Sequence, residues 1–470
     1  MPIRQVIAAG RLVAILTLIS IATPMLAAPQ FRTESYRTGV QTSMALRRPG
    51  MIGDDCVSGQ CVIRLAPGVT QQQFEQLLAR QQSQVLEALP YYRMYVVSLP
   101  GGTTVAAGVT RWLAQPGIAD AGPNAMYYLT RQPNDPRYSE QYHWLRVSAP
   151  LGWDMTTGSP TVVVAVVDSG LDLDHEDITG RLWVNADEIP GDGIDNDGNG
   201  FIDDINGWDF LNNDNDPAPH PTDPIGEFGG NHGTHCAGII GAATDNGVGI
   251  AGHDWNCKLM TCKVFPDDGE MAPMTTIIQG VNYAVANGAK VVSLSLGGMY
   301  TSLWDAPLQQ ARAAGVVIVA AAGNEYHEFT DDRSSWESPV CNDGPNPAVD
   351  NWVLGVAATD ANDVKADFSN YDGSSTKSFV DVTAPGVDIL SLYIQDPANG
   401  FTQPYGKMSG TSMACPCVAG LASLLAAQFP ALTPLDLIEQ IKAGCDNIDV
   451  VNPMYAGKLG AGRINTPQAI

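Results

Sequence analysis

Two hydrophobic patterns divide this chain. In the first part apolar positions alternate with polar ones, as in CVIRLAPG (61–68) and YYRMYVVSLPGG (91–102), or recur at helical spacing, as in TQQQFEQLLARQQ from Thr70 and TTVAAGVTRWLAQ before Pro116 and Gly117. Alternation marks a strand with one wet face, Thr70 is a good N-cap, and GIADAGPN supplies a last strand, so a small βαββαβ (ferredoxin-like, α+β) module is predicted over about 58–124. From about residue 160 the runs become continuously apolar: TVVVAVV (161–167), KLMTCKVF (258–265), KVVSLSL (290–296), GVVIVAAAG (315–323) and WVLGVAATD (352–360). Val-rich runs of this kind, separated by helical stretches, predict an α/β unit whose mostly parallel sheet is covered by helices on both faces.

The N-terminus changes the picture first. Arg4 and Arg11 precede LVAILTLISIATPMLAA (12–28), a charged and then apolar segment ending in small residues, which predicts a secretory signal over 1–28 and an extracellular protein. Thr17, Ser20, Thr23 and Pro24 interrupt the run, and no later segment reads as a membrane span. Formal charge is 25 − 50 = −25; residues 1–133 carry 11 basic and 6 acidic side chains, leaving 14 − 44 = −30 for the rest. Such acidity argues against a nucleic-acid partner and for carboxylates gathered around cations. Nine cysteines leave at least one unpaired, and no bridge is assigned.

The chemistry lies in three blocks, VVDSG (166–170), NHGTHCAG (231–238) and GTSMACP (410–416), which supply Asp168, His232 and Ser412. A serine hydroxyl attacks an amide only when an imidazole takes its proton and a carboxylate orients that imidazole. These blocks, in the order Asp, His, Ser, together with SLSLGG and VAAAGN between them, resemble those of the subtilisin-like serine peptidases, closest in motif to the thermitase branch. The resemblance runs from about Asn134 to Ile470. It implies that Asp168 orients, His232 accepts the proton, His235 is structural, and Ser412 opens a helix with Pro416 in its first turn. It further implies Asn324 as an oxyanion donor, Ser295, Leu296 and Gly297 as a strand pairing with extended substrate, and Glu337, beside Ser338 and Pro339, near the base of a pocket favouring basic residues. Residues 29–133 become a propeptide, folding aid and intramolecular inhibitor, cut between Leu129 and Pro133 from a peptidase domain over 134–470. Where the family has Thr and His after GTSMA this chain has Cys415 and Cys417; with Cys236 they place thiols near the site.

Calcium is the expected cofactor. Asp195, Asp197, Asn199, Phe201 and Asp203 fall at positions 1, 3, 5, 7 and 9 of an EF-type loop with Gly200 at 6, although position 12 is Asn206 rather than Glu. The resemblance implies two more sites: Asp135, Asp177 and Asn246 with backbone oxygens of Thr244, Val248 and Ile250, and a second set of Asp209, Asn212, Asp214 and Asp216. The reading is a secreted, calcium-stabilised serine endopeptidase made as an autoprocessed zymogen, acting on proteins or peptides as a monomer, with no membrane partner once the signal is removed. A catalytically silent binding fold and a processing peptidase with one dedicated target are the alternatives.

Overall fold

The computed structural model describes residues 32–35, 41–43, 55–125, 131–220, 230–269, 271–344, 351–373 and 378–470, so the signal segment and Leu129 lie outside the described residues. The chain forms two compact units, with the division along the sequence near Met126.

In the first unit Asp55–Leu65 lies between Met94–Ser98 and Ile118–Ala125, and Val85–Leu89 pairs outside Met94–Ser98, all antiparallel. Helices Gln71–Gln81 and Val105–Leu113 complete the expected βαββαβ order, and Arg32–Ser35 and Gln41–Ser43 extend the sheet. Thr70 begins the first helix with a reciprocal capping box: its hydroxyl accepts from Gln73 N–H while the Gln73 side chain accepts from Thr70 N–H. Ile63, Phe74, Val97, Val109 and Trp112 form the core.

The second unit is built on seven strands: β1 (Val163–Asp168), β2 (Gly207–Asp209), β3 (Lys258–Lys263), β4 (Val291–Leu294), β5 (Val317–Ala321), β6 (Val353–Thr359) and β7 (Val382–Pro385). Their spatial order is β7-β6-β5-β4-β1-β3-β2, every pair parallel. Helices α1 (Asn231–Gly241) and α4 (Thr411–Gln428) share one core with Val164, Val166, Val291 and Val319. Helices α2 (Met274–Ala286) and α3 (Asp305–Ala313) share the other with Ala165, Val167, Val292 and Ile318. Successive residues of one strand thus enter opposite cores, which is why the strand runs carry no polar alternation.

Helix α4 corrects one expectation. Among the described residues it alone is long and apolar enough to cross a membrane, yet it is mostly buried inside the unit. Its apolar character all round is that of a helix enclosed by protein on every side. The strand order reverses at β1, with β4 on one side and β3 on the other, and at such a point loops from the carboxyl ends diverge into a crevice.

Candidate active site

Asp168 is the last residue of β1, and the two residues after it explain why the motif reads DSG. Ser169 Oγ accepts from Gly233 N–H at 3.0 Å, tying the first turn of α1 to the end of β1. The backbone contact there is close: a Cβ on Gly233 would lie 2.2 Å from the Gly170 carbonyl, so only glycine lets His232 approach Asp168. Asp168 Oδ1 then meets His232 Nδ1 at 2.7 Å and also accepts from Ser169 N–H at 2.7 Å. Burial disfavours the imidazolium, but the buried Asp168 carboxylate outweighs it and holds the His232 pKa well above the ordinary histidine value. With Nδ1 committed to Asp168, Nε2 is the nitrogen left to exchange a proton.

Ser412 stands at the second position of α4. Pro416 is the sixth residue of that helix, not in its first turn as expected, and the consequence is local. Helical geometry would have residue 416 donate to the Ser412 carbonyl, and proline has no N–H to give. That carbonyl instead accepts from Ser295 Oγ at 3.0 Å and from Cys236 Sγ at 3.4 Å. Ser295, just beyond β4, is thereby bonded to the nucleophile candidate twice, because Ser412 Oγ donates to the Ser295 carbonyl at 3.2 Å. The hydroxyl must leave that carbonyl to hand its proton to His232.

Asn324 follows β5 with its side chain exposed. Its Oδ1 accepts from Thr411 N–H at 2.8 Å and Thr411 Oγ1 at 3.0 Å, which turns Nδ2 outward as a donor. A Cβ on Gly410 would lie 3.6 Å from both Asn324 Nδ2 and Ser412 N, so the two donors share the space beside Gly410. Two N–H groups converging beside a serine at a helix N-terminus can hold a developing oxyanion.

Leu296 and Gly297 continue from Ser295, and Gly298–Met299 pairs antiparallel with Glu337–Ser338. Glu337 Oε2 lies 3.6 Å from the position a Gly297 Cβ would take, which brings this carboxylate to the strand expected to meet substrate. Burial first, and the Glu325 carboxylate second, raise the Glu337 pKa to about 7. Sequence reasoning missed Glu325 and its partner Asn370, whose Nδ2 donates to Glu325 Oε2 at 2.9 Å and Glu337 Oε1 at 3.2 Å.

The thiols are inert neighbours. Cys236, Cys257, Cys262, Cys341, Cys415, Cys417 and Cys445 are free thiols. Burial raises the Cys415 pKa to about 12, and Cys417 also rises by burial, so neither departure from the family pattern creates a thiolate. Cys236 approaches His232 Nδ1 to 4.0 Å, but burial keeps it protonated too. His235, buried, bonds the Ile389 carbonyl at 2.9 Å and is structural.

The acidic loops sort differently from the sequence templates. In the EF-type stretch Asp195 accepts from Gly198, Asn199 and Gly200 N–H, and Asp203 from Gly191 and Gly193 N–H. Phe201 points its ring into an aromatic group with Trp208, Phe210 and Tyr283. The carboxylates that converge are Asp197, Glu188 and Asp204, with oxygens all within 4.8 Å of one another, and Asn199 Nδ2 donates to Asp197 and Asp204. Asp204 is fully buried, burial raises its pKa, and among the described residues no lysine or arginine pairs with these three. The loop around 244–250 wraps Asp135 and Asp177 in the same way: Asp135 accepts from Asp245 and Asn246 N–H, Asp177 from Ile250 N–H and Asn246 Nδ2. Burial, with Asp135 adding to it, lifts Asp177 to about 7. Carboxylates gathered in one loop, with Glu188 and Asp204 buried in the first set and Asp135 and Asp177 in the second, fit a hard divalent ion. The set of Asp209, Asn212, Asp214 and Asp216 does not. Lys263, buried, already sits on Asp209 and supplies the positive charge there, and Asp216 Oδ2 faces His220 Nε2 at 3.0 Å.

The model of the Subtilase family (peptidase S8) matches residues 159–447. Thermitase of Thermoactinomyces vulgaris is 35% identical over 344 residues, 72% of this chain and 99% of thermitase. A thermophilic serine proteinase of Bacillus sp. strain AK1 is 33% identical over 357 residues, 76% of this chain and 73% of that protein. A solved protease of Pseudoalteromonas arctica superposes with a TM-score of 0.54 at 28% identity, covering 72% of this chain and 98% of that one. The chain belongs to the Subtilase family and is a serine endopeptidase.

Proposed function

We propose that Ser412, His232 and Asp168 form the catalytic triad of this endopeptidase and that Ser412 N–H and Asn324 Nδ2 form its oxyanion hole. The observation that carries the reading is the 2.7 Å Asp168–His232 bond beside a serine whose backbone N–H and the Asn324 amide share one opening. Ser412 Oγ bonds the scissile carbonyl carbon as its proton passes to His232 Nε2, and the carbonyl oxygen becomes an oxyanion between the two donors. Collapse breaks the C–N bond, and His232 returns the proton to the leaving amine. Water, deprotonated by His232, then opens the acyl-enzyme, and Ser412 Oγ regains its proton. Asp168 stays ionised throughout and fixes the imidazole tautomer.

Extended substrate pairs with the main chain of Ser295, Leu296 and Gly297, and the acidic pocket at Glu337 selects Lys or Arg on the acyl side of the cut. The enzyme is exported by residues 1–28, carries 29–133 as an intramolecular inhibitor, and cleaves it near the start of the peptidase unit. Calcium, held by Asp135, Asp177 and Asn246 with their loop, and by Glu188, Asp197 and Asp204, would brace the fold without entering the chemistry. Secreted wild type and Ser412→Ala are compared by N-terminal sequencing and labelling with an active-site serine reagent. A mature N-terminus and labelling in the wild type only are expected; equal processing in both would remove self-cleavage, and an unlabelled wild type would remove the triad.

A further inference from the structure

Asn370 is fully buried, and both polar atoms of its side chain and its backbone N–H are used on two functional segments. Its Oδ1 accepts from Glu325 N–H at 3.1 Å and His327 N–H at 2.7 Å. Two backbone donors fix that atom as the oxygen, so the nitrogen must face the other way. There its two hydrogens are shared among the Ala322 carbonyl at 2.9 Å, Glu325 Oε2 at 2.9 Å and, more distantly, Glu337 Oε1 at 3.2 Å. Its own N–H donates to the Gly323 carbonyl at 3.0 Å. The segment from Ala322 to His327 is the turn that carries Asn324. Gly323 has φ +101°, and a Cβ there would lie 2.4 Å from Asn370 Nδ2 and 2.8 Å from Glu337 Oε2, so the turn, the amide and the carboxylates are in direct contact.

The turn that leads into Asn370 is itself held from behind. Lys365 is buried, donates to the Ala366 and Ser369 carbonyls at 2.8 Å each, and lies 4.7, 4.9 and 5.3 Å from the ring centres of Tyr326, Tyr455 and Tyr371. Tyr326 belongs to the same turn, and its N–H donates to the Phe368 carbonyl at 2.7 Å. The amide is therefore anchored on one side and committed to the turn on the other.

We infer that Asn370 is a positioning residue that couples substrate selection to the oxyanion hole: its oxygen fixes the turn bearing Asn324, and its nitrogen holds Glu325 and Glu337 side by side to receive a Lys or Arg side chain of the substrate. The inference rests on the reading of Glu337 as the pocket carboxylate and of Asn324 as an oxyanion donor. A cationic side chain entering beside Glu337 meets two carboxylates whose shared partner is a neutral amide, and His327 Nδ1, 3.7 Å from Glu337 Oε1, is cationic only when protonated. With the imidazole neutral, the attraction of the two carboxylates for a cation is not already satisfied. Because the same amide sets the turn, a displacement of either segment is felt by the other.

The test uses the full chain with Asn370→Ser and Asn370→Asp, each with and without Glu337→Gln. Active sites are titrated with a serine reagent, and kcat and KM are measured on paired peptides differing only in Lys or Leu before the cut. Per active site, kcat on both peptides is expected to fall about ten-fold or more, as for a misplaced catalytic donor. The Lys-to-Leu ratio of kcat/KM is expected to shrink while Glu337 is present and to be insensitive to Asn370 once Glu337→Gln is introduced, as for residues acting as a unit. A residue that only stabilises the fold would lower the titrated fraction and leave both quantities within about two-fold, which overturns the inference. A fall in kcat with an unchanged ratio, or the reverse, overturns the coupling as well. A wild type without Lys preference refutes the pocket reading separately, and the kcat arm then decides the hold on the oxyanion turn by itself.

Discussion

Replacing Ser295 by alanine tests whether its hydroxyl stands in for the hydrogen bond that Pro416 cannot make. The Ser412 carbonyl has two partners, Ser295 Oγ at 3.0 Å and the weak donor Cys236 Sγ at 3.4 Å. A buried carbonyl stripped of its partner costs about 1–3 kcal/mol, and with the thiol still in reach about 1–2 kcal/mol is expected for Ser295→Ala. In Pro416→Ala the helix regains an N–H aimed at that same carbonyl, so the cost of Ser295→Ala should drop below about 0.5 kcal/mol. Proline's effect on the unfolded chain is the same in both halves of the cycle and cancels. The four proteins are compared by urea unfolding in a Ser412→Ala background, which prevents self-digestion and leaves the main-chain carbonyl in place. In the active background, Ser295→Ala should also lower kcat about ten-fold, because the backbone that carries the nucleophile and its oxyanion N–H is less firmly held. Equal costs of Ser295→Ala with proline and with alanine at 416, within about 0.3 kcal/mol, would refute the substitution of one donor for the other.

Asp168→Asn should lower kcat by about 10⁴ and move the acid limb of the kcat/KM profile to lower pH, since the carboxylate that raises His232 is gone; an unmoved limb would assign it to another group. Preference for Lys over Leu should grow as pH rises through about 7, where Glu337 ionises, and Glu337→Gln should flatten it; a ratio constant from pH 5.5 to about 8.5 would count against that carboxylate. Excess chelator should lower the melting temperature of Ser412→Ala, by as much as about 2.7 kcal/mol of lost stabilisation if calcium stood at 100 Kd, and Asp177→Asn should diminish the effect; chelator without effect would argue against both cation sites. His143 is buried with neither ring nitrogen bonded, and burial lowers its pKa to about 3. Its folded value lies below its unfolded one, so the stability it contributes is lost as pH falls from about 6.5, at about 1.4 kcal/mol per pH unit. Asp177, Asp254 and Asp372, raised by burial, run the other way over part of that window. The measurement is therefore the difference between wild type and His143→Phe in the inactive background, and equal pH slopes would remove the assignment.

Some of this protein was legible in its sequence because spacing recorded backbone contact. DSG and HGTH have their glycines and serine where they do because Ser169 caps the turn of His232 and a Gly233 Cβ would strike Gly170, so motif and geometry are one fact. The continuous strand runs were legible for a similar reason, as burial on both faces leaves no polar period to find. Counting from Asp195 along an EF template finds the acidic loop, but which of its carboxylates converge is set by the path of the backbone rather than by the spacing. Asp195 and Asp203 turn onto N–H groups of their own loop, while Asp197 and Asp204, both inside the counted segment, converge with Glu188, which precedes it. Pro416 shows the same limit of local spacing: α4 begins at Thr411, so the missing N–H falls opposite the Ser412 carbonyl, and its replacement comes from Ser295, just beyond β4 and far along the chain. Asn370 lay beyond any pattern, since a neutral amide in FSNYDG carries no charge, period or metal spacing. Its role follows only from what its oxygen, its nitrogen and its backbone N–H each touch, on the 322–327 turn and on Glu337, and that knowledge belongs to long-range structure.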